Sequence, residues 1–233
     1  MTPGVVVFAR TGSQRLLSKA FADIAGRPLL GHVVDRAQRV PGNLPVVVAT
    51  SNWAADDAIE KWCEKEGVEV FRGDLDDGAG RAIACCAAYG FDRFARVCGD
   101  RPFHDPDVIA LLFDRMEQEA LDLATNMAPK TFPAGLTAEV VLVSALSRAL
   151  ASGADTEDRE HVTRYFYRAP AGFRIGNVVA DPPVCTKVSL VVDTERDLER
   201  IRWIADRLLV PATAPRDEIV ALASQWEALH GVS

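Results

Sequence analysis

Residues 5–19 read Val5-Val6-Val7-Phe8-Ala9-Arg10-Thr11-Gly12-Ser13-Gln14-Arg15-Leu16-Leu17-Ser18-Lys19. The short, β-branched apolar run at 5–9 is expected as the first strand of a parallel sheet. It runs straight into a loop with three cations, a glycine and small hydroxyl residues. Outward from it, strand-like stretches at 45–50, 68–71, 94–98 and 121–125 alternate with helical periodicity at 27–40, 54–66, 80–89 and 106–118. This rhythm predicts an α/β fold with a doubly wound, mostly parallel sheet.

The pattern changes after residue 125. Strand-like 138–143 and 173–180 and helical 144–151 and 157–167 lie between loops rich in Pro, Gly and Lys, and read as an inserted α+β lobe over about 126–183 of a single 1–233 domain. Residues 189–193 resume a strand pattern. Thr194 then opens a helix whose early acids Glu195, Asp197 and Glu199 suit its N-terminal end, and a last helix covers 217–229.

With 26 Lys and Arg against 33 Asp and Glu, the net charge of −7 excludes a broad basic surface for nucleic acid. Five cysteines without a CxxC pair, beside four scattered histidines, suggest neither a disulfide framework nor a zinc cluster. No signal peptide or membrane span is read, and a cytoplasmic protein is expected.

Backbone N–H groups freed by a Gly-Ser turn, with Arg forks and a Lys, suit a triphosphate. The loop matches neither the P-loop nor the dinucleotide fingerprint. Cys98-Gly99-Asp100-Arg101-Pro102 ends a strand on a carboxylate, as Asp193 ends 189–192. Two such carboxylates can hold magnesium, although each alone could equally cap a helix. Asp74-Leu75-Asp76 imitates a metal-binding D-x-D but reads as a solvated acidic turn. Cys85-Cys86 reads as helix packing, and Trp62 and Trp203 as core or interface.

The ordered motifs Ala9-Arg10-Thr11-Gly12-Ser13-Gln14-Arg15-Leu16 with Lys19, Gly26-Arg27-Pro28-Leu29-Leu30, Ala49-Thr50-Ser51, Gly99-Asp100-Arg101-Pro102 and Arg159-Glu160-His161-Val162-Thr163 resemble the cytidylyltransferase family, nearest its spore coat polysaccharide branch. The resemblance implies a transferase that moves a nucleotidyl group, CMP from CTP, onto a sugar acid and releases pyrophosphate. It implies nucleotide contacts at Ala9, Arg10, Gly12, Ser13, Arg15, Lys19, Thr50, Ser51 and Arg81. Arg10, Lys19 and Asp100 would be catalytic, with Mg2+ on Asp100 and Asp193. Lys130, Glu139, Arg159 and His161 fall in segments the resemblance puts near the acceptor.

Three departures stand out. Leu17-Ser18 replace the family's Pro-Gly or Pro-Asn, Cys98 replaces a Gln that helps read the base, and Phe132-Pro133-Ala134-Gly135-Leu136-Thr137-Ala138-Glu139 lacks two usual carboxylates. The retained Lys130, Arg159 and His161 favour an anionic acceptor, unless Lys130 and Arg159 are solvated or pair with Asp158 and Glu160. Apolar residues at 140–143 and 162–167, more than a small lobe can bury, point to a homodimer. A glycosyltransferase of related fold and a non-catalytic nucleotide-binding protein remain as alternatives.

Overall fold

The computed structural model describes residues 2–12, 16, 18–180, 182–184 and 187–231. Ser13, Arg15 and Cys185 therefore lie outside the described residues. The apolar run forms β1 (Pro3–Phe8), followed by a small hairpin of β2 (Asp23–Ile24) and β3 (Arg27–Pro28) and by α1 (Leu29–Ala37). Next come β4 (Val46–Ser51), α2 (Asp57–Glu66), β5 (Glu69–Gly73), α3 (Gly78–Tyr89), β6 (Arg93–Cys98), α4 (Pro106–Gln118) and β7 (Leu123–Thr125). The chain continues through β8 (Glu139–Leu142), α5 (Val143–Ala151), α6 (Thr156–Glu160), α7 (Arg164–Arg168), β9 (Ile175–Asn177), α8 (Glu195–Ala205) and α9 (Arg216–His230).

Among the described residues one seven-stranded sheet runs in the order β5-β4-β1-β6-β8-β7-β9. β1 pairs in parallel with β4 and β6, while β8 is antiparallel to both β6 and β7. The mostly parallel α/β sheet is thus present, and 126–183 contributes two of its strands. Successive strand residues feed opposite cores. Val5, Val7, Val48, Ala95 and Val140 meet α1, α4, α8 and α9, whereas Val6, Val47, Phe94 and Val141 meet α3, α5 and Phe166. Cys63, Cys85 and Cys86 are fully buried free thiols, and burial pushes those of Cys63 and Cys85 up to about 12.

Three expected elements change. The helix expected from residue 27 begins at Leu29, because Ala25 (φ 50°) and Gly26 (φ 81°) both take positive φ and turn 23–28 into a tight hairpin. The helix expected over 157–167 breaks into α6 and α7 around Val162, whose φ is 54°. Residues 189–193 form no strand: both edges of β6 are taken by β1 and β8, so Ser189 makes a single bridge to Ala134 and Val192 N donates to Asp100 O at 2.9 Å.

The apolar residues expected to face a second subunit are largely covered within the chain. Val140, Val141, Val162, Tyr165 and Phe166 are all buried, which removes that argument for a homodimer. Trp62 and Trp203 are half-buried against the core. No helix among the described residues is long and apolar enough to cross a membrane.

Candidate active site

The chain runs from β1 outward to β4 and β5, then returns to β6 on the other side. The carboxyl ends of β1 and β6, where Phe8 pairs with Cys98, are therefore the place where a doubly wound sheet opens a crevice. A cleft of about 730 Å3 lies there.

The loop after β1 is anchored by a residue that the sequence reading passed over. Asp56, wholly buried, accepts from Thr11 N and Thr11 Oγ1, both at 2.7 Å, and from the Ser51 hydroxyl. Burial alone would raise this carboxyl, but the hydrogen bonds from Ser51 and Thr11 outweigh it and hold it below the usual range. Thr50 and Ser51 lie buried behind the loop and do not line the cleft. Asp56 went unnoticed because it opens a helical stretch, where an acid is unremarkable.

Lys19, Asp100 and Asp193 meet. The Lys19 ammonium donates to Asp100 Oδ2 at 3.2 Å, Asp193 Oδ1 at 3.0 Å and Val192 O at 2.9 Å. Gly99 permits the tight approach of β6 to β1: its N–H donates to Phe8 O at 2.8 Å, and a Cβ there would stand 2.9 Å from that oxygen. Neither carboxylate is a helix cap, since Asp105 caps α4 and Thr194 caps α8 in a box with Asp197. Two carboxylates and a carbonyl, all hard oxygens converging on one cation, fit magnesium's preference for few protein ligands. Among the described residues no group of three or more His, Cys, Asp and Glu gathers for a metal.

Arg10 and Arg81 flank this centre. Arg10 pairs with Glu160 at 3.1 Å on the exposed rim. Arg81 is buried, hydrogen-bonded to Asp74 O, and stands 5.9 Å above the Phe8 ring. Burial, and then the nearby Arg10, lower its pKa. The Asp74 side chain accepts from Asp76 N and Asp77 N at 2.8 and 2.9 Å, so Asp74-Leu75-Asp76 is an acidic turn, but its Leu75 and Asp76 line the cleft.

Of the four residues expected near the acceptor, His161 lines the cleft. Arg159 pairs with Asp77 at 2.7 Å, and Lys130 is exposed on the loop after β7, outside the cleft. Glu139 is buried behind the cleft floor, accepting from Arg96 at 2.8 Å, Thr163 at 3.0 Å and Tyr167 at 2.7 Å. Arg96 does line the cleft, and a charge within an apolar strand was the signal that could have found it. A second cavity of about 550 Å3, beside Arg36, Asp105 and Arg216, holds none of the expected residues.

The cytidylyltransferase family profile matches residues 5–202. The spore coat polysaccharide biosynthesis protein SpsF of Bacillus subtilis is 28% identical over 94% of this chain and 93% of its own length. A 3-deoxy-manno-octulosonate cytidylyltransferase of Aeromonas salmonicida is 35% identical over 54% of this chain and 50% of its own. The solved structure of a cytidylyltransferase from Leptospira borgpetersenii superposes with a TM-score of 0.91 at 26% identity, covering 100% of this chain and 98% of that one.

Proposed function

This chain belongs to the cytidylyltransferase family and is a nucleotidyltransferase, and we propose that it transfers CMP from CTP to a sugar acid or similar small anionic acceptor, with magnesium, in cytoplasmic polysaccharide precursor synthesis. One observation carries the reading: Asp100, Asp193 and Lys19 meet at the carboxyl edge of β1 and β6, between Arg10 and Arg81.

Arg10, Lys19 and Arg81 bind the triphosphate and keep its α-phosphorus facing the acceptor. The acceptor hydroxyl attacks that phosphorus in line and gives up its proton to water, and the bond to pyrophosphate breaks as the new P–O bond forms. Asp100 and Asp193 would hold magnesium, which supplies neutralisation of charge on the leaving pyrophosphate. His161 and the Glu139-paired Arg96 line the cleft, where an anionic group on the acceptor would find N–H donors.

Pyrophosphate release tests this directly. The expected result is release from CTP in the presence of 3-deoxy-manno-octulosonate or another sugar acid, little with neutral hexoses, and none from UDP-sugars. UDP release from a UDP-sugar would point to glycosyl transfer, and CTP binding without turnover on any acid would overturn the acceptor class.

A further inference from the structure

Trp53 plays no part in the phosphate or metal chemistry, yet it is 50% exposed on the wall of the cleft. A large, half-exposed indole in a cleft that also carries Arg10, Lys19, Arg81 and Arg96 calls for a reason.

Its main chain is tied down by hydrogen bonds. The Trp53 backbone N–H donates to Ser51 Oγ at 3.2 Å, and its carbonyl accepts from Arg72 Nη2 at 2.9 Å and from Asp56 N at 2.9 Å. Asp56 also anchors Thr11 and accepts from Ser51, so the Trp53 main chain and the phosphate-side loop share one base. The ring edge lies over Gly12, where a Cβ would stand 3.2 Å from Trp53 Cζ3. The rest of the ring is open to the cleft, on a wall that it shares with Phe8 and Leu75. A π-face held beside a cationic, glycine-bearing loop matches the two halves of a nucleotide: phosphates for the loop, heterocycle for the ring.

We propose that Trp53 is the face on which the base of the bound nucleotide stacks. The inference rests on the nucleotidyl-transfer reading and deepens it. Stacking accepts any base, because every base has a π-face. Trp53 therefore supplies affinity without choosing among bases.

The test is calorimetric titration of the unaltered protein, Trp53→Ala and Trp53→Phe with CTP, UTP and inorganic tripolyphosphate, with melting curves to confirm that all three fold. Trp53→Ala is expected to weaken CTP and UTP alike by about tenfold or more, and tripolyphosphate by less than about twofold, with Trp53→Phe retaining most of the affinity. Equal CTP affinity in Trp53→Ala overturns the stacking role and leaves the nucleotidyl-transfer reading intact. A tripolyphosphate loss as large as the CTP loss also overturns it, since the ring would then act by supporting the Gly12 loop. Failure of the unaltered protein to bind either nucleotide removes the nucleotidyl-transfer reading and the stacking role together.

Discussion

Lys19 reaches across 81 residues of sequence to place its Nζ 3.2 Å from Oδ2 of Asp100. The same ammonium bonds Asp193 and the Val192 carbonyl, so one cation gathers the two carboxylates that would hold magnesium. Lys19→Ala is therefore expected to lower kcat by at least ~10²-fold, the scale of losing one charge-stabilising donor. Its stability cost should be small, because Asp100 and Asp193 remain partly exposed and screened. Steady-state kinetics beside a melting curve check both parts, and an unchanged kcat would take Lys19 out of the machinery.

Asp100→Asn and Asp193→Asn each remove a ligand charge at nearly constant shape. Each should raise the magnesium concentration needed for half-maximal rate while the melting temperature barely moves. Magnesium titrations that superimpose on those of the unaltered protein would disprove the two-carboxylate site.

Most of this centre was legible because it hangs on local signals. Val5–Val7 mark the strand, and the cations of the next loop follow at once. Asp100 and Asp193 end apolar stretches pointing to the same edge. What stayed hidden depends on partners distant in sequence or on backbone angles. Residues 189–193 bury Leu190 and Val192 like a strand, but apolar spacing is the same whether the backbone pairs with a strand or with loops. The break at Val162 requires a positive φ that a β-branched residue seldom adopts, so no composition cue announces it. From sequence, Arg159 is expected either to face the acceptor or to pair with its neighbours Asp158 and Glu160, whereas its partner is Asp77, 82 residues away.

Asp158 ties that break together. Its buried carboxylate accepts from Arg168, from Asp155 N at 3.0 Å and from Arg164 at 2.7 Å, and these bonds, Arg168 first, hold it well below the usual carboxylate range. A depressed folded pKa stabilises at pH above the unfolded value of about 3.9, and the benefit is lost as pH falls below it. The melting temperature should drop from about pH 4 downwards more steeply in the unaltered protein than in Asp158→Asn. Parallel profiles would count against the carboxylate's role.

Gly99→Ala places a Cβ 2.9 Å from Phe8 O and 3.1 Å from Ala9 Cβ. The first obstacle is backbone, so the ends of β1 and β6 must part. The cost should be about 1–3 kcal/mol in denaturant unfolding. Because Asp100 is the next residue, kcat should fall as well, and unchanged unfolding with full activity would show that the strand ends yield freely.

Glu139 provides the sharpest division between a structural role and an acceptor contact. It is 2% exposed, and its carboxylate is shared by Arg96, Thr163 and Tyr167, which join β6, β8 and α7 beneath the cleft. Burial and the neighbouring Glu139 charge raise the Tyr167 phenol, so it stays protonated and keeps donating at neutral pH. Removing one member of a buried pair strands the other charge, which costs about 3–5 kcal/mol, whereas removing both can be nearly neutral. Some of that cost is relieved here because Arg96 keeps 18% of its side chain exposed and can reach water in the cleft. Glu139→Ala should therefore destabilise by at least ~2 kcal/mol, and Arg96→Met added to it should recover part of the loss. A residue that only touches the acceptor would behave differently: Glu139→Gln would raise the acceptor KM at an unchanged melting temperature. Denaturant unfolding of the two singles and the double separates these outcomes, and additive losses would show that Arg96 and Glu139 do not act as a pair.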